Sequence, residues 1–445
     1  MKIKVTILFK KCKYFFRTIV RNIRHFFYLV LSNIKQHSQF YLNILIGVII
    51  ALTFHFIEHV KIGENILNQI FDLSLKNYYN NDTSTDKIFF IDINNETLKD
   101  WNNPYFTPID SLAKAIKICI EGEAKIVFLD ISLDKRKSEF MSNNSFLNLL
   151  INYSKQKEHK TQLIFPLLIN PDDNNKIPTI VDSLVTKNQN FHFASPKVSS
   201  SSSDNLVRYI NYYISYNEGD EPKIALNVAL LSALLYNDYS NSMISSIETI
   251  LLNKKSHSFI LNGDELVVSN EDIISNRIKF YYNNNSPQRS HLNYSNRIEF
   301  NNITSETKEL LKEKIVIIGV SSKEHSDDIS PTPLGNMLGM YVLGNAIFEI
   351  VNNKQIKKMN WIYAFLMEII IIISASIVFK RFDSVIAYLI ITGSLILVLG
   401  PISIVAYYKK GIFVNVIFPI LGMGIHKSVS EYEEAISIVR GRGKR

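Results

Sequence analysis

The chain has 445 residues, 47% of them hydrophobic, a mean hydropathy of +0.05 and a formal charge of +8. That length allows two or three domains, and the hydropathy sits above that of a typical soluble chain. Its two cysteines, Cys12 and Cys119, exclude a disulfide framework and a Cys-based metal site.

Residues 1–39 form a basic leader. No Asp or Glu occurs before Glu58, while Lys and Arg recur from Lys2 to Lys35. A nucleic-acid arm and the cytoplasmic flank of a membrane helix are the two readings of such a block, and the apolar run that follows decides for the membrane. The leader is expected to lie as an amphipathic helix on the inner leaflet, against anionic lipid, with no nucleic-acid partner. Residues 40–58, opening FYLNILIGVIIALTFHFI, carry no charge until Glu58 and predict a transmembrane helix. The long leader, with Glu58-His59-Val60-Lys61 after the run, favours an uncleaved anchor over a signal peptide.

Residues 60–358 are polar, rich in Asn and Ser, and hold nearly all the acidic residues. KIFFIDI (Lys87–Ile93) and KIVFLDI (Lys125–Ile131) read as buried strands. Between them PIDSLAKAIKICIEG (Pro108–Gly122) has helical spacing and a glycine stop, which together predict a parallel crossover unit. Further apolar runs occur at Gln162–Leu168, Arg208–Tyr216, Arg277–Tyr282 and Lys314–Val320. Helices are expected at Lys223–Leu235 and Tyr341–Val351, and a mobile loop at the serines Ser199–Ser203. The fold class is therefore α/β, a largely parallel sheet with flanking helices.

Three more apolar segments follow, predicted as transmembrane helices at residues 361–379, 384–407 and 412–429, before a short basic tail at 430–445. Retention of positive charge in the cytoplasm places both termini inside and the 60–358 domain outside the membrane, with Lys409-Lys410 as a small violation. A bacterial inner membrane is the expected location.

Four stretches of the domain resemble the CHASE type 2 family, the second type of cyclase- and histidine-kinase-associated sensory extracellular domain. They are FFIDINNETLKDW (Phe89–Trp101), AKIVFLDISL (Ala124–Leu133), SSDNLVRYINY (Ser202–Tyr212) and the closing KEKIVIIGVSSKEHSDDISPTPLGNMLGMYVLGNAI (Lys312–Ile347). The single span before the domain and three after it fit the same family. Ile109 and Gly344 depart from its pattern, where Arg and His are expected. The resemblance implies a sensory rather than catalytic role, and it implicates Trp101, Arg208 and Asn345 in ligand contacts. Family members usually feed a cytoplasmic kinase or cyclase. Only about twenty residues follow the last span here, too few for such a domain, so a separate cytoplasmic signalling partner and a homodimer are expected.

Asp92 and Asp130 each close an apolar strand, and Asp328 follows a third. Ligands of open parallel sheets bind beyond the carboxyl ends of strands, so these carboxylates predict a rim for a cation or polar ligand; helix caps are the plainer reading. No cofactor motif, nucleophile–base pair or firm metal set stands out. Within the membrane segments, Glu368 and His55 fall at similar outer depths and are expected to face each other. An envelope assembly subunit is the alternative function, and an external metal-dependent enzyme using Asp92, Asp130 and Asp328 ranks last.

Overall fold

The computed structural model describes residues 44–50, 85–102, 107–134, 145–156, 160–201, 204–254, 296–322, 329–353 and 355–414. Shorter stretches are described between 53 and 72, 256 and 280, and 419 and 432. Of the features expected above, the basic leader, His55, Asp328 and residues 433–445 lie outside the described residues. The chain divides into two compact units, Asn65–Lys358 and the remainder, Met1–Glu64 with Met359–Arg445.

In the first unit the chain runs through β1 (Ile88–Ile93), α1 (Asn95–Asp100), α2 (Ile109–Glu121), β2 (Ile126–Asp130), α3 (Ser145–Lys155), β3 (Gln162–Pro166) and β4 (Phe191–Ala194). Short strands β5 (Val198–Ser200) and β6 (Val207–Ile210) and the hairpin β7 (Tyr213–Glu218) and β8 (Glu221–Leu226) come next. Helices α4 (Val228–Tyr236) and α5 (Asn241–Lys254) lead to the hairpin β9 (Ser256–Leu261) and β10 (Asp264–Ser269). The unit closes with β11 (Arg297–Glu299), β12 (Ile315–Val320), the hairpin β13 (Ile329–Thr332) and β14 (Gly335–Leu338), and helix α6 (Gly339–Val351).

Six strands pair in the order β11-β1-β12-β2-β3-β4, every neighbour parallel. The runs IFFIDI, IVFLD and IVIIGV are apolar at successive positions because the sheet is covered on both faces. Phe89, Ile91, Val127, Leu129, Val316 and Ile318 pack with α2 and α3. The alternate residues Ile88, Phe90, Ile126, Phe128, Ile315 and Ile317 pack beneath α4 and α6. Both of those helices are buried almost all round, so neither shows the one-sided apolar stripe of a surface helix.

The crossover predicted from β1 through α2 to β2 forms, with one change. The two strands are parallel but not adjacent, because β12 lies between them and pairs with both. Three local expectations change as well. Arg208–Tyr216 is two strands, β6 and β7, rather than one. The stretch predicted as a helix from Lys223 begins as β8, since Lys223–Leu226 pairs against Tyr213–Tyr216 and the helix starts only after Asn227. Asn227 caps it, its side chain accepting from the Ala229 amide at 2.9 Å. Ser199 and Ser200 belong to β5, whose edge pairs with β6.

In the second unit, α7 (Trp361–Arg381) is a single helix of 21 residues, opened by the Asn360 side chain accepting from the Ile362 amide. Helix α8 (Ser384–Ser394) passes through one π-helical turn at Leu395–Leu399 into α9 (Gly400–Lys410). The segments Ile362–Phe379 and Val385–Ser403 are long and apolar enough to cross a membrane. On α7, Ile371, Ile372, Ala375 and Ser376 are buried, whereas Ile362, Phe365, Leu366, Ile370, Ile373 and Ile377 are exposed. The helical residues 44–50 pack on this buried stripe, where a side chain on Gly47 would collide with Ile372 Cγ2 at 2.7 Å. The last predicted segment does not begin as a helix: Ile412–Phe413 is extended, and helical residues are described only from 419 onward.

Candidate functional site

In parallel strands, residues in register point to the same face. One row of the sheet reads Glu299, Asp92, Gly319, Asp130 across β11, β1, β12 and β2. It lies at the carboxyl ends of the strands, on the face covered by α6. The two carboxylates that end apolar runs are therefore on one rim, as their positions predict. Between them stands Gly319, whose missing side chain lets Met340 of α6 pack close to the sheet. A Cβ there would stand 3.2 Å from Met340 Cβ and 3.3 Å from Asp130 Cβ, so the first turn of α6 approaches the sheet more closely than another residue allows.

The rim also occupies a switch point. The connection leaving β1 runs to α2 on one face of the sheet, and the one leaving β12 runs to α6 on the other. Connections that diverge to opposite faces open a crevice between the strands they leave, the usual ligand position in open α/β sheets.

Asp92 is fully buried. Its Oδ2 accepts a hydrogen bond from the Tyr341 hydroxyl at 2.6 Å and lies 3.2 Å from Arg297 Nε. Arg297 Nη1 also reaches the Tyr341 hydroxyl at 3.4 Å, closing a trio from β1, β11 and α6. The other carboxylate oxygen, Oδ1, has no hydrogen-bond partner among the described residues. Burial pushes the Asp92 pKa up to about 6, against the opposing pull of Tyr341 and Arg297; Glu299 adds to the rise. Asp130 is half-buried at the β2 end of the row.

A family model of the CHASE2 domain matches residues 44–379. The chain belongs to the CHASE2 family. No curated protein and no solved structure matches it. CHASE2 is a sensory domain family rather than a catalytic one, and its domain is extracytoplasmic.

The CHASE2 residues singled out in the sequence do not form one site. Trp101 caps the C-terminus of α1 and stands edge-on to Phe300 at 5.1 Å, in the core on the α2 side of the sheet. Asn345 is buried one turn beyond Tyr341 and donates to the Tyr341 carbonyl at 2.8 Å, which stiffens the helix carrying the rim tyrosine. Arg208 lies on β6, away from the row. Its guanidinium, 2% exposed, holds Asp72 through Nε–Oδ1 at 3.1 Å and Nη2–Oδ2 at 2.6 Å, and Asp204 through two contacts of 2.7 Å. Beside it the buried Arg277 contacts Asn68 and stacks on Phe71 at 4.2 Å. These arginines fasten Asn68, Phe71 and Asp72 to the domain. Glu368 is half-buried in α7, and its expected partner His55 is outside the described residues.

Tyr341 and Arg297 were not singled out from the sequence, although they complete the rim. Tyr341 stands within the family's closing stretch, five residues after Asn336, and helical spacing toward Asn345 was the available signal. Arg297 sits in a polar stretch with no periodicity to mark it. Among the described residues no group of three or more His, Cys, Asp or Glu gathers to hold a metal ion.

Proposed function

We propose that this protein is a bacterial inner-membrane receptor whose CHASE2 domain, outside the membrane, recognises a polar ligand at the Asp92–Asp130 rim. The signal passes through the membrane helices to a separate cytoplasmic signalling partner. In the same reading the basic leader rests on anionic lipid, both termini are cytoplasmic, and the receptor works as a homodimer. The observation that carries it is the Asp92 carboxylate, buried at the switch point, whose Oδ1 has no hydrogen-bond partner among the described residues. An acceptor of this kind is costly when buried unpaired. It fits a ligand that brings a hydrogen-bond donor, an amine or amide above all.

Two supporting facts come from the chain. Its family is sensory, and two of its helices are apolar enough to span a bilayer. A ligand shifts the receptor only by binding one arrangement of α6 on the sheet better than another. The test uses the full chain in nanodiscs and a thermal-shift screen of amines, amino acids and amides. A compound that raises Tm in the wild type but not in Asp92→Asn supports the rim. No such compound, together with constitutive stoichiometric envelope partners, replaces the receptor by an assembly subunit. Reporter fusions after Asn190 and after Arg445 test the topology, which fails if both report the same side.

A further inference from the structure

The amino end of the sheet, opposite the rim, carries a cleft. A cleft of about 1200 Å³ lies at the amino ends of β2, β3 and β4, walled on one side by the ends of α2 and α3 and on the other by the turn between α4 and α5. Its volume exceeds the several hundred cubic ångströms typical of a small-metabolite pocket. We propose that this cleft is a binding site for an uncharged oligosaccharide, separate from the Asp92 rim.

The chemistry of the lining selects that class. Six amide side chains face it, Gln156, Gln162, Asn188, Gln189, Asn190 and Asn241, together with hydroxyls from Ser154, Thr161, Tyr239 and Ser240. Amides and hydroxyls both donate and accept, which is what the hydroxyl groups of a sugar require. The lining exposes more polar than apolar surface, so a greasy ligand would leave its amides and hydroxyls without partners.

The charges of the lining balance in sign, and half of them are paired within the protein. Three lysines (Lys125, Lys160, Lys187) are matched by three carboxylates (Glu123, Asp238, Glu313). Lys125 pairs with Asp238 at 3.0 Å, and Glu123 pairs with Lys312 at 2.9 Å. Among the described residues the lining carries no excess of either sign to favour an ionic ligand.

Four of these amides, Gln162, Asn188, Asn190 and Asn241, are held in place by hydrogen bonds. Gln162 Oε1 lies 2.8 Å from His192 Nε2. Loss of solvent around that ring pushes its pKa down to about 4, so it is neutral at pH 7 and its Nε2–H donates to the glutamine oxygen. Gln162 is thereby fixed with its amino group turned to the Lys160 carbonyl and Asn190 Oδ1, both at 3.4 Å. Asn188 Oδ1 accepts from the Asn190 amide at 2.8 Å, and Asn241 donates to the Gln189 carbonyl at 2.8 Å. A lattice of oriented amides lowers the entropy cost of holding a flexible polar ligand.

The test is a glycan array probed with the full chain in nanodiscs, prepared without glycosidic detergents, followed by titration of the best uncharged hits. Saturable binding to an uncharged oligosaccharide is expected, weakened about tenfold or more by Gln162→Ala, as for the loss of one well-placed polar contact. Gln189→Trp, at an exposed position, is expected to block the cleft without disturbing the fold, and it covers the case in which Gln162→Ala fails to fold. Asp92→Asn is expected to leave this binding unchanged, which separates it from the rim. Absence of any glycan signal overturns the proposal, as does binding confined to anionic glycans or to peptides. Binding that survives Gln189→Trp, or is lost in Asp92→Asn, overturns it as well.

Discussion

Tyr341 donates its phenolic hydrogen to Asp92 across 2.6 Å, fastening the first turn of α6 to the end of strand β1. The bond joins residues separated by 249 positions in the chain. It also gives the domain a contact whose strength depends on whether a buried carboxyl is charged.

The first prediction follows from that charge. Asp92 is pushed up to about 6 when folded, against roughly 3.9 in an unfolded chain. Between these values the folded protein keeps a proton that the unfolded chain releases, so this group's contribution to stability falls as pH rises from about 4 to about 6. Glu248, pushed up to about 7, acts in the same direction, and His192, pushed down to about 4, acts in the opposite one. The informative quantity is thus the Tm of Asp92→Asn minus that of the wild type. It is expected to grow more positive across pH 4–6, by an equivalent of about 3 kcal/mol at most, and to level off above pH 7. A flat difference would mean that Asp92 is not perturbed.

The second concerns Gly319. Gly319→Val must push against Met340 and Asp130, and overpacking of this kind costs about 1–3 kcal/mol. Chemical denaturation should show this loss, and adding Met340→Ala should restore part of it. Full stability in Gly319→Val alone would show that α6 does not press on the sheet there.

The third concerns Arg208. Arg208→Leu leaves the mostly buried Asp72 without its bidentate partner, a change that costs about 3–5 kcal/mol for buried pairs. Arg208→Lys is expected to rescue little, because one ammonium does not reproduce the planar fork that holds two carboxylates. A double-mutant cycle with Asp72→Asn measures the coupling, and a value near zero would remove the clamp from the account.

A fourth uses Cys119, which is fully buried in α2 and whose thiol burial pushes up to about 12. In a Cys12→Ser background the native protein should resist maleimide and react only on unfolding, because the thiolate is the nucleophile. Rapid labelling of the native protein would contradict the packing of α2.

The central strands and helix α2 were legible because their signals are local: apolar runs for β1, β2 and β12, and helical spacing from Leu112 to Cys119. So was the shared rim of Asp92 and Asp130, which needs only parallel strands ending in carboxylates. Placing β12 between β1 and β2 was not legible, since pairing over more than two hundred residues leaves no trace in either segment. The clamp on Arg208 escaped for the same reason, with Asp72 136 residues away. The helix expected from Lys223 began too early because KIAL, after Pro222, has no breaker before Asn227, and only pairing with β7 makes it extended. The amino-edge cleft is built from turn residues whose polarity looked like ordinary solvent exposure.

The middle position of β12 has a consequence for biogenesis. Ile88 has Ile315 as its neighbour, so the sheet cannot close until the chain has been synthesised beyond Val320. Until then the β1 and β2 segments have unpaired edges that invite aggregation, and pairing at such separations is slow. A sheet built this way acquires its shape only once nearly the whole domain is available, so shielding of the nascent segment becomes a requirement of its manufacture.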